Sequence, residues 1–194
     1  MTAVPPVPFS AVLLAAGHSI RMRRDKALLE LDGRPMWQRQ RDLLRAAGAA
    51  EIFLSARPGQ AWAETAEGFS GVVRDAGEDA GPLGGIVAAL ERCPPGHLAV
   101  IAVDLPQMEP AWFATLLADC TAGVGAVGRQ GKFFEPLAAI YPRELLPLAQ
   151  AALTRRELSL QKLITAAVAQ GLLAGREISA AEAPWFTNWN EPAA

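Results

Sequence analysis

Apolar residues in this chain come in short runs separated by turn residues, and the runs alternate between two lengths. Strand-length runs occupy residues 11–15, 51–55, 71–75 and 97–103, and the last of these is the clearest, seven mostly apolar residues closed by Asp104. Helix-length patterns fill 35–45, with Met36, Gln40, Leu43 and Leu44 near one face and Gly48 closing it, then 86–92 and 110–119; a weaker one covers 60–68. Thr154-Arg-Arg-Glu157 fits a capping box that starts a helix running to Gln170. Asp32-Gly33 reads as a turn, residues 123–127 as a strand, and Gln130-Gly131 as a turn into the stretch 133–141. Strands alternating with helices predict an α/β fold, a Rossmann-like three-layer α/β/α arrangement around a mostly parallel central sheet.

In such sheets ligands collect at the carboxyl ends of the strands. The 11–15 strand ends in Ala15-Ala16-Gly17 and is followed by Arg21, Arg23, Arg24 and Lys26; the 71–74 stretch ends at Asp75 and the 97–103 stretch at Asp104. Small residues let a ligand approach the backbone, successive turn amides can converge on phosphate oxygens, and the cations add charge. Neither G-x-x-x-x-G-K-[ST] nor G-x-G-x-x-G occurs, so the loop is not one of the two common phosphate fingerprints. Each group also has a plain structural reading: Lys26 and Arg21 as solvated cations, Asp104 as a turn cap, Gly81-Pro-Leu-Gly-Gly85 as a loop entering a helix, Asn188 and Asn190 as surface turn residues.

Composition narrows the partners. The chain has 194 residues and a formal charge of −2, so a single domain over 1–194 is expected, with residues 1–9 a flexible lead-in, and a broad basic surface for nucleic acid is not. No apolar run reaches the ~20 residues that a membrane span requires. Cys93 and Cys120 lack zinc spacing and read as reduced, buried thiols of a cytoplasmic protein, and with only His18 and His97 any metal would be a hard cation on a carboxylate.

Leu13 to Met36 reads L-L-A-A-G-x-S-x-R-M-x-x-D-K-A-L-L-x-L-x-G-R-P-M, and this stretch resembles the signature of the molybdenum cofactor guanylyltransferases, the MobA-like nucleotidyltransferases. The resemblance continues in order through Asp75, Gly81-Pro-Leu-Gly-Gly-Ile-Val-Ala-Ala-Leu90, Asp104-Leu-Pro106, Glu135-Pro-Leu-Ala-Ala-Ile-Tyr141 and Phe186-Thr-Asn-Trp-Asn190. It implies a fold of the nucleotide-diphospho-sugar transferase type and transfer of GMP from GTP to the phosphate of molybdenum-carrying molybdopterin, releasing pyrophosphate.

The resemblance also implies roles. Leu14, Ala15, Ala16 and Gly17 would form the nucleotide-binding turn, with Ser55, Asp75, Gly81, Pro82 and Leu83 as further nucleotide contacts. Lys26, Arg21 and Asp104 would be catalytic, Asp104 would hold Mg2+, and Asn188, Asn190, Arg155 and Arg156 would face the pterin. Ser55 stands where the family often has asparagine, Ala16 where it has glycine, and Arg23 follows Arg-Met where glycine is usual. A cytidylyltransferase, a sugar-phosphate nucleotidyltransferase and a non-catalytic nucleotide binder are the alternative readings. A monomer is expected, its protein contacts confined to transient ones with cofactor-pathway or apo-enzyme proteins.

Overall fold

A computed structural model describes residues 8–17, 25–74, 80–94 and 96–189. Its main sheet runs β5-β4-β1-β6-β8-β7-β9, from β1 (Phe9–Leu14), β4 (Glu51–Ser55), β5 (Gly71–Val73), β6 (His97–Ala102), β7 (Gly125–Gln130), β8 (Phe133–Pro142) and β9 (Leu173–Glu177). β5, β4, β1 and β6 pair in parallel, β9 is parallel to β7, and β8 alone runs the other way between β6 and β7. β2 (Glu30–Leu31) and β3 (Arg34–Pro35) form a small separate hairpin. The Asp32-Gly33 turn closes that hairpin with φ of 54° and 71°, the left-handed pair that a two-residue hairpin turn requires.

Helices cover both faces. α1 (Met36–Ala46), α2 (Ala61–Thr65) and α4 (Pro110–Asp119) pack on one face with the C-terminal segment; α3 (Gly81–Arg92), α5 (Leu146–Thr154) and α6 (Leu160–Ala169) pack on the other. The strands at the centre show why both faces are dry. In β1, Phe9, Ala11 and Leu13 enter the first layer and Val12 and Leu14 the second; in β6, Ala99 and Ile101 face Leu98 and Val100 in the same way. Period-two alternation between two apolar layers makes a strand hydrophobic throughout, as the sequence runs are. Among the described residues no helix is long and apolar enough to cross a membrane.

Two sequence expectations change. The helix expected at 86–92 begins at Gly81, so Gly81-Pro-Leu-Gly-Gly85 forms its opening turns rather than a loop. Proline is tolerated in a first turn because its missing N–H would have been unpaired there. Thr154 does not start a helix: it ends α5, where its hydroxyl donates to the Gln150 carbonyl at 2.9 Å, and Ser159 caps α6 by accepting from the Lys162 amide. Helix α5 and strand β9 had no place in the sequence pattern.

Candidate active site

β1 lies between β4 and β6, so the chain winds outward from β1 in one direction through β4 and β5 and then returns to β1's other side. The carboxyl ends of β1 and β6 therefore flank the point where strand order reverses, the crevice in which open α/β sheets bind ligands. The ends are tied together: the Ala15 amide donates to the Ser55 carbonyl at 2.9 Å and the Val103 amide to the Leu14 carbonyl at 3.1 Å. Leu14 and Ala15 are buried, Ala16 is half-buried and Gly17 exposed, so the first two can offer a ligand only backbone, and open space begins at Gly17.

The Asp25 carboxylate accepts from the Ala27 amide at 3.1 Å and caps a short 3-10 turn, Lys26–Leu28. Ala27 is fully buried, which pins the turn and sends the preceding side chain across the crevice. There Lys26 Nζ lies 2.9 Å from Asp104 Oδ2, both side chains 24% exposed. The two residues are 78 positions apart. The pair is reachable from solvent yet partly shielded.

A cluster with no sequence signal holds both ends of the cationic loop. Gln60, 5% exposed, donates through Nε2 to the Ala15 carbonyl at 3.0 Å and to Asp25 Oδ2 at 2.6 Å, while its Oε1 accepts from the Arg57 amide at 2.7 Å. Trp62 Nε1 donates to the same Asp25 oxygen at 2.8 Å, and Arg57 Nη1 donates to the Gly17 carbonyl at 3.0 Å. Arg57, Gln60 and Trp62 all come from the segment after β4. No motif marks them, because their function is to reach backbone carbonyls and a carboxylate supplied by a distant stretch.

The remaining predicted residues divide. Ser55 is 3% exposed and lies under α3, where a Cβ on Gly85 would fall 2.5 Å from its Oγ and 2.9 Å from Leu14 Cδ2, so its side chain packs between helix and sheet. Leu83 is fully buried in a cluster with Val87, Ala149, Ala152 and Leu163, so only its backbone faces the edge. Gly81 and Pro82 are exposed at the start of α3, where Ala80 supplies no side-chain cap. Asn188 is exposed beside Trp189, whose amide donates to the Asp104 carbonyl at 2.9 Å, so the C-terminal segment folds back onto the crevice. Arg155 and Arg156 are exposed at the end of α5, in the opposite layer, and Arg155 pairs with Glu157 at 3.2 Å. The structure does not bring these two arginines to Lys26 and Asp104. Arg21, Arg23, Arg24, Asp75 and Asn190 lie outside the described residues.

A lysine and a carboxylate meeting at the switch point of a doubly wound sheet, below a turn of small residues, define a nucleotide-handling α/β protein. Residues 11–172 match the MobA-like NTP transferase domain family, and the chain belongs to that family of nucleotidyltransferase enzymes. It is 40% identical to a protein of Opitutus terrae named probable molybdenum cofactor guanylyltransferase, over 94% of this chain and 91% of that one. It is 32% identical to the molybdenum cofactor guanylyltransferase of Pseudomonas putida, over 85% and 86%. Among solved structures, molybdopterin-guanine dinucleotide biosynthesis protein A from Archaeoglobus fulgidus superposes with a TM-score of 0.70 at 19% identity, covering 94% and 93% of the two chains. The 2-C-methyl-D-erythritol 4-phosphate cytidylyltransferase of Thermus thermophilus gives 0.65 at 21%, covering 90% and 91%. At those identities the two structures speak for the fold.

Proposed function

We propose that this enzyme transfers GMP from GTP to the terminal phosphate of molybdenum-carrying molybdopterin, forming the guanine dinucleotide cofactor and releasing pyrophosphate. The observation that carries the reading is the Lys26–Asp104 contact of 2.9 Å at the end of the first strand; the names of the relatives supply the base and the acceptor.

An oxygen of the acceptor's phosphate attacks the α-phosphorus of GTP. A new P–O–P linkage forms as the bond from that phosphorus to the bridging oxygen breaks, and pyrophosphate leaves with the electron pair. The nucleophile belongs to the substrate, so the protein's part is alignment and charge stabilisation. Lys26 donates to phosphate oxygens, Arg21 joins it from the same loop, and the amides following Ala15 line the triphosphate.

A lysine drawn onto phosphate frees the Asp104 carboxylate. Asp104 would then supply a carboxylate oxygen to a metal; among the described residues no three His, Cys, Asp or Glu side chains gather into a metal site. That donor set fits Mg2+, which commonly takes one or two carboxylates and completes its shell with phosphate and water. Bound there, Mg2+ would neutralise phosphate charge. Under this reading the enzyme acts as a cytoplasmic monomer on two small molecules, and its contacts with pathway proteins are transient.

The test is pyrophosphate release from GTP, CTP, ATP and UTP with molybdopterin present, for the wild type, Lys26→Ala and Asp104→Ala. GTP should be used; Lys26→Ala should keep its circular dichroism and lose about 100- to 1,000-fold in turnover, the usual effect of deleting one preorganised charge donor. Asp104→Ala should lose turnover together with its dependence on divalent cation. Wild-type rates in either variant refute the assignment, and preferential use of CTP would move the enzyme to the cytidylyl reading.

A further inference from the structure

β8 carries a second carboxylate to the same edge. Its last pair with β6 is Ile101 with Ala138; three residues further along the two strands stand Asp104 and Glu135. Between Glu135 and that pair the ladder to β7 breaks: pairing passes from Val127 with Ala139 directly to Gly128 with Glu135, so residues 136–138 are looped out opposite a single peptide step. Two carbonyls of the bulge are satisfied from outside the ladder, Pro136 by the Tyr141 hydroxyl at 2.7 Å and Ala138 by Trp112 Nε1 at 2.8 Å. Both donors are buried, so the bulge is built into the core, and bulges of this kind re-aim a side chain at the end of a strand.

The direction of Glu135 follows from its partner. A Cβ on Gly128 would fall 2.7 Å from the Trp112 ring and 3.0 Å from Ile178, which places that side of β7 under α4 and the C-terminal segment. Cross-strand partners share a face, so Glu135 stands on the side where Phe186 meets Trp112 edge-on at 4.9 Å and Trp189 binds the Asp104 backbone, with Asn188 next to it. Glu135 is half-buried and, among the described residues, has no hydrogen-bond or ion-pair partner. Burial alone pushes its carboxyl above the ordinary range, and no neighbouring charge adds to that shift. It stands apart from the Lys26–Asp104 pair.

We infer that the Glu135 carboxylate recognises an aminopyrimidinone edge, the adjacent ring N–H and exocyclic NH2 that present two donors to two carboxylate oxygens. The inference rests on the proposed function, because both substrates of that reaction carry this edge, guanine on the donor and the pterin on the acceptor. Strand order favours the pterin: β1 and its turn flank β6 on one side, and β8 flanks it on the other. A carboxylate with paired donors forms the stronger, directional kind of hydrogen bond, and a ligand offering an acceptor in place of the NH2 would leave the carboxylate opposed.

Binding titrations without turnover test this. Fluorescence titration with 6-hydroxymethylpterin and 6-hydroxymethyllumazine, which has an oxo group in place of the 2-amino group, would be run beside calorimetry with GTP and ITP, on the wild type, Glu135→Gln and Glu135→Asp. The wild type should prefer the pterin at least ten-fold; Glu135→Gln should bring the two within two-fold while its melting temperature and GTP-to-ITP ratio stay put, and Glu135→Asp should fall between. Loss of the GTP-over-ITP preference instead would support the same recognition with guanine as its source. A wild type that binds no pterin at millimolar concentration, or distinguishes neither pair, overturns the inference, as does a Glu135→Gln protein that keeps both ratios. Should Glu135→Gln not fold, the wild-type ratios and Glu135→Asp still decide. Because no step of this assay uses pyrophosphate release, the guanylyl-transfer reading stands or falls separately.

Discussion

At the scale of single residues, position in the site depends on side chains that never touch substrate. Gln60 contacts Ala15 before the loop and Asp25 after it, so replacing it with leucine leaves a buried carbonyl and a half-buried carboxylate each short of a donor, at a cost of about 1–3 kcal/mol. The larger effect should be on rate. With Asp25 loosened, the turn that aims Lys26 shifts, and a misplacement near 1 Å costs about 100-fold; Gln60→Leu should therefore lower kcat far more than it weakens GTP binding, and unchanged kcat would show the clamp to be unnecessary. Gly85 poses the opposite problem, a lack of space. Gly85→Ala drives a methyl against Ser55 Oγ at 2.5 Å and should destabilise by about 1–3 kcal/mol, part of it recovered in the Gly85→Ala, Ser55→Ala double variant. Chemical denaturation of the three proteins measures the coupling. Without that recovery, the clash would lie with Leu14 rather than with the serine.

Elements show where local patterning misleads. Thr154 and Glu157 have the spacing of a capping box, but Thr154 is the last residue of α5 and its hydroxyl bonds back to Gln150; the start of α6 belongs to Ser159. Ser159→Ala should accordingly cost about 1 kcal/mol, and Thr154→Ala should stay within about 0.5 kcal/mol as a surface change. Equal losses in the two variants, by urea titration, would contradict the assigned caps. β8 teaches a related lesson. Gln130-Gly131 was legible as a turn, and a short turn between two strands makes them antiparallel neighbours, yet where that hairpin inserts, between β6 and β9, depends on partners far away in sequence. The bulge at residues 136–138 was illegible for the same reason, since its Ala138 carbonyl rests on Trp112 of α4.

For the molecule as a whole, burial governs chemistry that composition could only suggest. Both cysteines are buried, and burial pushes the Cys93 thiol up to about 11 and the Cys120 thiol to about 12. The reactive thiolate is therefore scarce at pH 8 and grows only as pH rises toward those values. A disulfide-exchange reagent should label neither thiol in the native protein at pH 8 and both after denaturation in guanidinium; rapid native labelling would mean that the layers over β6 and α4 open easily. The alternating runs, the turn of small residues before the cations, and a carboxylate after the 97–103 run could be read from the sequence because each is a relation between near neighbours, set by strand periodicity and turn sterics. That Lys26 meets Asp104, that Gln60 ties the loop at both ends, and that Arg155 and Arg156 belong to another layer were decided only in the folded molecule. Those relations depend on strand order and on which face each element buries, and both are settled by how the two apolar layers close over the whole sheet.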